Sequence, residues 1–404
     1  VGSSFPGLRG LARVSLYIHI PFCIRKCAYC DFFSVAGADS RTIREVIDET
    51  VRQTAYFLER LGPKTLTSVY LGGGTPSSLN AVLWRLLLKE LHSLGAVAAP
   101  EFTVEANPES LNEEFLAVCA EFGVTRLSVG IQSFRTELLK GIGRSVSVKN
   151  IRRALDLIGR NWPGDLNLDL LAGLPGQSAR IMALDIREVV DLRPAHISCY
   201  TLTLERGTRL YEQVREGRVR LPRPDLRDEL WLASRKKITA AGYSHYEISN
   251  FALPGRECIH NMGYWLLEPY LGSGPSAVST LPTEDGSVVR IFNPRDLNAY
   301  MGGRNARWGV HWEVLTPAQL FFEQLMLGFR LKAGIPASLF SGRFGRPLPE
   351  IIPRLWRSWQ ARGFVQKRSA SYALTLRARL ILNRLLGELA QEDLSGAGIR
   401  LDWP

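Results

Sequence analysis

Cys23-Ile24-Arg25-Lys26-Cys27-Ala28-Tyr29-Cys30 is the stretch on which the reading of this chain turns. Its three cysteines follow the spacing C-x3-C-x2-C, close enough to tie one metal centre. Soft thiolates select zinc, copper(I) or an iron–sulfur cluster over magnesium or calcium. A structural zinc wants four protein ligands, yet the next cysteine is Cys119 and His19 does not lie at a usual zinc spacing. Three thiolates fit better on three irons of a [4Fe–4S] cube, whose fourth iron is then open to an exchangeable ligand. A chain of 404 residues with six cysteines is not a small disulfide-stapled domain.

On either side of the cysteines, short apolar segments alternate with helical patterns, the signal for βαβ units and a parallel sheet. Strands are expected at Ser15–Ile20, Ser68–Leu71, Glu101–Glu105, Arg126–Val129, Asp165–Leu170 and His196–Tyr200. Helices are expected at Ser40–Leu61, Asn80–Leu94, Asn112–Phe122, Val148–Gly159 and Arg180–Leu192. The fold class is therefore α/β, a partial (β/α)6 barrel of six units. Alternation within the strands says what fills it. Leu16, Ile18 and Ile20 share one face and Tyr17 and His19 the other; Thr103 and Glu105 oppose Phe102 and Val104; Asn167 and Asp169 oppose leucines. A closed barrel packs its interior with branched apolar side chains. Polar residues here imply an open barrel holding a large polar cofactor at the carboxyl ends of its strands.

The expected organisation is an N-terminal tail at 1–14, the barrel with an extension at 15–280, and a smaller, mainly helical domain at 281–404. Pro282, Asp285 and Gly286 break the pattern near that boundary. No apolar run approaches the roughly 20 residues of a membrane helix, and the first ten residues do not read as a secretory signal. The formal net charge of +11 is compatible with nucleic acid, an acidic membrane surface or an anionic ligand. Arginine is scattered rather than striped and no RNA-binding signature is present, which points away from nucleic acid. Cys119, Cys199 and Cys258 read as small buried hydrophobes, and an oxygen-sensitive cluster beside them suits a reducing cytoplasm.

Gly72-Gly73-Gly74-Thr75-Pro76 follows the second strand, where consecutive glycines let backbone groups approach a ligand. Glu105 and Asp169 end strands on the lumen side, and carboxylates suit ribose hydroxyls. Together with the cysteine spacing and Tyr29 before the last cysteine, these residues make the chain similar to the radical SAM superfamily. The resemblance implies that the open iron chelates S-adenosylmethionine. It further implies that Gly72, Gly73, Gly74 and Thr75 meet the methionine amino group, Glu105 and Asp169 the ribose, Gln132 the polar edge of the cofactor, and Arg144 the methionine carboxylate through its planar fork. Tyr17 would contact the methionine portion or the cluster.

Tyr17-Ile18-His19-Ile20-Pro21-Phe22-Cys23, Asn167-Leu168-Asp169-Leu170 with Gly173-Leu174-Pro175-Gly176-Gln177, and Tyr246-Glu247-Ile248-Ser249-Asn250-Phe251-Ala252 narrow the resemblance to the oxygen-independent coproporphyrinogen oxidase group. Within it the chain most resembles the heme chaperone family HemW. Asp31-Phe32 follows Cys30, where the oxidase carries a further cysteine. Only 22 residues precede Cys23, leaving little of the oxidase's N-terminal arm. His260-Asn261-Met262-Gly263-Tyr264-Trp265 matches the HNxxYW stretch implied to serve heme, so His260 is the expected axial ligand and Tyr264 a stacking neighbour, with Cys258 a soft alternative. The family pattern has histidine where this chain has Val146 and Val278.

The resemblance thus implies a radical-SAM-fold heme chaperone with a [4Fe–4S] cluster, S-adenosylmethionine and heme. Its partners would be an electron donor and a heme acceptor, such as a respiratory enzyme met peripherally at the membrane. The enzymatic alternative is oxidative decarboxylation of coproporphyrinogen III propionates. Radical methyl transfer or heme ring opening is a third reading, without visible motifs for a second S-adenosylmethionine.

Overall fold

The computed structural model describes residues 6–95, 98–302, 307–368, 370–392 and 401–403. Six parallel strands form the barrel wall in chain order: β1 (Arg13–Ile20), β2 (Thr65–Gly73), β3 (Phe102–Ala106), β4 (Arg126–Gln132), β5 (Asp165–Ala172) and β6 (His196–Thr201). A seventh parallel strand, β7 (Tyr270–Ser273), pairs with the free side of β1. This strand is not among those expected from the sequence. Among the described residues the sheet has 12 strands, with no pairing that closes it, and continues past β7 through antiparallel Val278–Pro282, Val288–Phe292 and His311–Leu315.

The connecting helices begin where the chain supplies a side-chain oxygen to their unpaired N–H groups. Asp39, Asn80, Asn112, Ser147 and Ser178 each accept from the backbone N–H three residues on, opening Ser40–Leu61, Ala81–Ser93, Glu113–Glu121, Val148–Asn161 and Ala179–Asp191. Each cap is worth about 1 kcal/mol. Gly62 ends the first of these helices in the left-handed region, with φ 51°. The apolar faces of these helices cover the outer face of the sheet, packing Phe57, Trp84, Leu87, Leu116 and Ile151 with Leu16, Ile18, Val69, Val104 and Leu168 in one core.

Strands Val278–Pro282 and Val288–Phe292 belong to the large sheet and send Leu281, Val289 and Ile291 into its core. The sheet therefore runs through the boundary expected at 280/281. A second core, built on Phe321, Phe340, Phe344, Trp359 and Tyr372, draws most of its residues from Leu315 onward. There helices surround a three-stranded sheet of Ile335–Pro336, Ser371–Leu374 and Val365–Arg368. Among the described residues no helix is long and apolar enough to cross a membrane.

Candidate functional site

The interior face of the barrel is polar, as the period-2 pattern requires. Tyr70 Oη donates to Glu105 Oε1 at 2.8 Å, and the Gly73 N–H donates to Glu105 Oε2 at 3.1 Å. Asn167 Nδ2 donates to Asp169 Oδ1 and to Ser128 Oγ, both at 2.8 Å. Burial pushes the Glu105 carboxyl up to about 7, with the nearby Asp169 adding to the rise. Asp169 is raised for the same reason.

The three cysteines sit at the carboxyl end of β1 on a loop closed at both ends. Phe22 and Cys23 pair with Val35 and Ala36, and the Val35 N–H donates to the Pro21 carbonyl at 2.6 Å. Its middle is clamped by Ala28, whose N–H donates to the Ile142 carbonyl at 2.9 Å and whose carbonyl accepts from the Leu210 N–H at 2.7 Å. The thiols interact with one another, and burial drives each upward, Cys30 to about 11. Thiolates at this depth call for the positive charge of a metal centre. Among the described residues no three His, Cys, Asp or Glu side chains converge as they would on a single ion.

The glycine run is dictated by packing as much as by a ligand. A Cβ on Gly72 would meet the Glu105 carboxyl at 2.9 Å, one on Gly73 the His19 ring at 2.5 Å, and one on Gly74 the Phe22 carbonyl at 2.5 Å. The expected free N–H groups are partly spent: Gly74 donates to the Ile20 carbonyl at 2.8 Å and Thr75 to that of Phe22 at 2.7 Å. This segment fixes the start of the cysteine loop. Thr75 Oγ1 then reaches Cys23 Sγ at 3.5 Å.

Arg144 is buried, 4% exposed, on the loop after Gly143. Nη2 donates to Asn107 Oδ1 at 2.9 Å and pairs with Glu109 Oε2 at 3.4 Å, while Nε has no partner among the described residues. An unpaired guanidinium nitrogen at that depth is the observation that fits a ligand carboxylate. Gln132 follows a register shift in β4 and adopts φ 67°. Such a bulge with a non-glycine residue in the left-handed region re-aims a side chain at a cost in backbone energy. Tyr17 Oη lies 3.0 Å from His19 Nδ1 and His19 Nε2 lies 2.9 Å from the Phe33 carbonyl. The carbonyl can only accept, so Nε2 carries the proton and Tyr17 donates to Nδ1.

His260 adjoins this polar face: its ring stacks on that of Tyr70 at 5.0 Å and lies 6.3 Å from that of Tyr17. It lies on the helix Ile259–Trp265, 1% exposed, with Nδ1 at 2.8 Å from Ser68 Oγ and Nε2 at 3.0 Å from Tyr264 Oη. Ser68 donates onward to Ser15 Oγ at 3.1 Å, so it accepts from Nδ1–H and Tyr264 donates to Nε2. Burial lowers the imidazole to about 3, and it stays neutral. Both nitrogens are occupied, so the expected axial ligand is closed in. Tyr264 does face open space: it lines a cavity of about 300 Å³ beside the cysteine loop. Cys258 is buried and donates to Glu101 at 3.3 Å. Val146 is buried and Val278 lines the cavity.

The structure thus gathers Cys23, Cys27, Cys30, Tyr17, the glycine run, Thr75, Glu105, Gln132, Arg144 and Asp169 at the carboxyl ends of the strands, with His260 packed behind Tyr17 and Tyr70 and hydrogen-bonded through both nitrogens. Three residues went unread in the sequence. Asn107 bridges Arg144 and Thr75, its Nδ2 donating to Thr75 Oγ1 at 2.9 Å; its place two residues past Glu105, before Pro108, was the available signal. His19 shares the polar face of Tyr17. Arg295, from a segment far along the chain, lines the cavity with no local signature.

Residues 17–186 match the family model of the radical SAM superfamily, and residues 315–381 that of the HemN C-terminal domain. Among curated proteins, a heme chaperone HemW of Bacillus subtilis is 32% identical over 384 residues, spanning 94% of this chain and 99% of that protein. The HemW of Escherichia coli is 32% identical over 381 residues, with 93% and 98% covered. A mitochondrial radical S-adenosyl methionine domain-containing protein 1 of Bos taurus is 35% identical over 337 residues, with 81% and 75% covered. Among solved structures, coproporphyrinogen III oxidase HemN of Escherichia coli superposes with a TM-score of 0.77 at 20% identity, covering 94% of this chain and 90% of that one. That last likeness is one of fold.

Proposed function

Because the chain belongs to the HemW family, we propose that it is a heme chaperone on a radical SAM fold, which holds a [4Fe–4S] cluster, S-adenosylmethionine and heme and passes heme to an acceptor protein. The observation that carries this reading is coverage: the chain aligns with 99% of a relative named for heme chaperoning, whereas its likeness to the oxidase is 20% identical. Cys23, Cys27 and Cys30 would hold the cluster. Arg144, with its unpaired Nε, would take the methionine carboxylate, and Glu105 and Asp169 the ribose. Gln132 would meet the polar edge, and Tyr17 with Gly72, Gly73, Gly74 and Thr75 would border the methionine end.

When bound, the cluster and S-adenosylmethionine would supply one-electron chemistry, with an electron donor from outside. The residues of the chain bind, orient and exclude water. Glu105, shifted to about 7, would sit near half-protonated at neutral pH until ribose hydroxyls or a nearby cation favour its charged form. Within HNxxYW, Tyr264 is the member that reaches open space, and His260 would support it. Acceptors of heme would include respiratory enzymes approached at a membrane surface.

The test is anaerobic cluster reconstitution followed by titration with heme and, separately, with coproporphyrinogen III, S-adenosylmethionine and a reductant, read by absorbance and product mass. Stoichiometric heme binding without decarboxylated product is expected. Formation of protoporphyrinogen IX would overturn the reading in favour of the oxidase.

A further inference from the structure

Between the carboxyl end of β1 and the cysteine loop lies the cavity of about 300 Å³, lined by Tyr17, Phe32, Phe33, Tyr264 and Tyr270 and completed by Arg295. Phe32 is 65% exposed. An open aromatic beside an aromatic-lined recess is the usual mark of a surface that a ligand covers. The recess is preformed. Ser276, in its lining, adopts φ 66° and its N–H donates to the Pro294 carbonyl at 2.9 Å, next to Arg295. Behind it the buried amides of Gln53 and Asn293 bond each other at 2.9 Å, Gln53 accepts from the Gly274 N–H at 3.0 Å and from Tyr300 Oη at 2.8 Å, and Asn293 donates to the Gly274 carbonyl at 2.8 Å. Arg295 Nη2 donates to the Asp31 backbone carbonyl at 3.0 Å, tying this wall to the cysteine loop.

The lining is poor in ligands for iron. Its imidazole is His19, whose two nitrogens are taken by Tyr17 and the Phe33 carbonyl. Position 278, where the family pattern has histidine, is valine. His260, behind Tyr264, is occupied on both sides. What the cavity offers is ring faces and one guanidinium. Asp31 is the lining carboxylate, and Arg295 donates to its backbone carbonyl.

We propose that this cavity takes the carboxylate-bearing edge of a planar aromatic macrocycle and recognises its face and its carboxylate, with the metal left unligated by histidine. The aromatic rings stack on the face, Arg295 pairs with the carboxylate, and His260 is a positioning residue that pins the Tyr264 hydroxyl. The inference rests on the heme reading of this family and specifies how heme would be held. It implies that iron contributes little to binding and that the propionates contribute much.

The reconstituted full chain is titrated with heme, with metal-free protoporphyrin IX and with heme whose propionates are methyl esters, following tryptophan quenching and the porphyrin absorption band. Protoporphyrin IX should bind within about threefold of heme and the ester roughly tenfold more weakly, the value of one charge-assisted pair. Arg295→Gln should cost heme roughly fivefold to tenfold and abolish the discrimination against the ester, with the band position unchanged; Arg295→Lys should restore part of both. Heme binding that is a hundredfold tighter than protoporphyrin IX, or that keeps its ester discrimination in Arg295→Gln, would overturn this inference and leave the chaperone reading standing. A chain that carries its iron–sulfur cluster but binds none of the three porphyrins would overturn the chaperone reading itself.

Discussion

Glu101 is the residue on which the placement of the HNxxYW helix depends. It lies just before β3, with a 4% exposed side chain, and pairs with the 5% exposed Arg126 at 3.3 Å. Its two oxygens also accept from the N–H groups of Ile259 at 2.9 Å and His260 at 3.0 Å. Cys258, at the N-cap position, makes no side-chain cap of its own, so the carboxylate caps that helix from another part of the chain. Breaking a buried ion pair by removing one partner costs about 3–5 kcal/mol. Arg126 keeps Asp165 at 3.6 Å and the Arg256 carbonyl at 2.9 Å, which places the pair near the low end. Two orphaned amide N–H groups add about 1–3 kcal/mol each.

Glu101→Ala should therefore destabilise the chain by about 5 kcal/mol, and Glu101→Gln, which keeps an acceptor for one amide, by about 4 kcal/mol. Since natural domains hold only about 5–15 kcal/mol in all, the alanine variant should be close to unfolding. Urea denaturation followed by tryptophan fluorescence measures both. Arg126→Met in the Glu101→Gln background should recover part of the loss, because the double variant no longer buries a guanidinium that has lost its nearer carboxylate. Losses below about 1 kcal/mol in both single variants, or strictly additive losses in the double one, would refute the assignment of Glu101 as the charged anchor of this helix.

Cys27→Ala should abolish cluster assembly while some heme binding survives, and iron analysis after reconstitution decides it, since unchanged iron content removes Cys27 from the ligands. Thr75→Val should lower the reduction potential of the reconstituted cluster, because hydrogen bonds to cluster sulfurs tune that potential; Thr75→Ser should retain it and Asn107→Asp, which removes the donor to Thr75, should follow the valine variant. Glu105, lifted to about 7 from an ordinary 4.5, binds more protons folded than unfolded between those values, so its contribution to the stability of the metal-free chain falls as pH rises from 4.5 to 7. The loss should be on the order of 2–3 kcal/mol, and the urea midpoint of Glu105→Gln should decline less over pH 5–8 than that of wild type. Parallel curves would contradict this.

The barrel was legible because each of its signals is local. Asp39 and Gly62 bracket Ser40–Leu61 as read, and the alternation of Leu16, Ile18 and Ile20 with Tyr17 and His19 named the strand and its two faces. β7 was not legible. Only four residues long, it carries Gly272 because a Cβ there would stand 2.1 Å from the Val278 carbonyl, and glycine in a short strand looks like loop. The turn at Pro282–Gly286, which suggested a boundary, is the hairpin between two strands of the same sheet. In the site, residues that end strands on the polar face could be read singly. Whether the nitrogens of His260 are free could not, because that depends on Ser68, 192 positions away.

The cysteine loop has two faces, and this joins the two halves of the site. Cys23, Cys27 and Cys30 lie on the stretch that Phe22 and Cys23 close by pairing with Val35 and Ala36, and the same stretch gives Asp31, Phe32 and Phe33 to the cavity. His19 is fixed to it through the Phe33 carbonyl and fixes Tyr17 in turn, so one hydrogen-bonded path runs from the loop to the base of the cofactor site. A loop tied at both ends cannot reorganise around a metal centre without moving Phe32 and Phe33. Were the chain to hold both, cluster assembly and macrocycle binding would be coupled, and reciprocally so: whatever factor the cluster added to porphyrin affinity, porphyrin would add to retention of the cluster. A chaperone built this way would hold heme differently in its cluster-loaded and cluster-free forms, which gives the iron–sulfur centre a use that does not require turnover of S-adenosylmethionine.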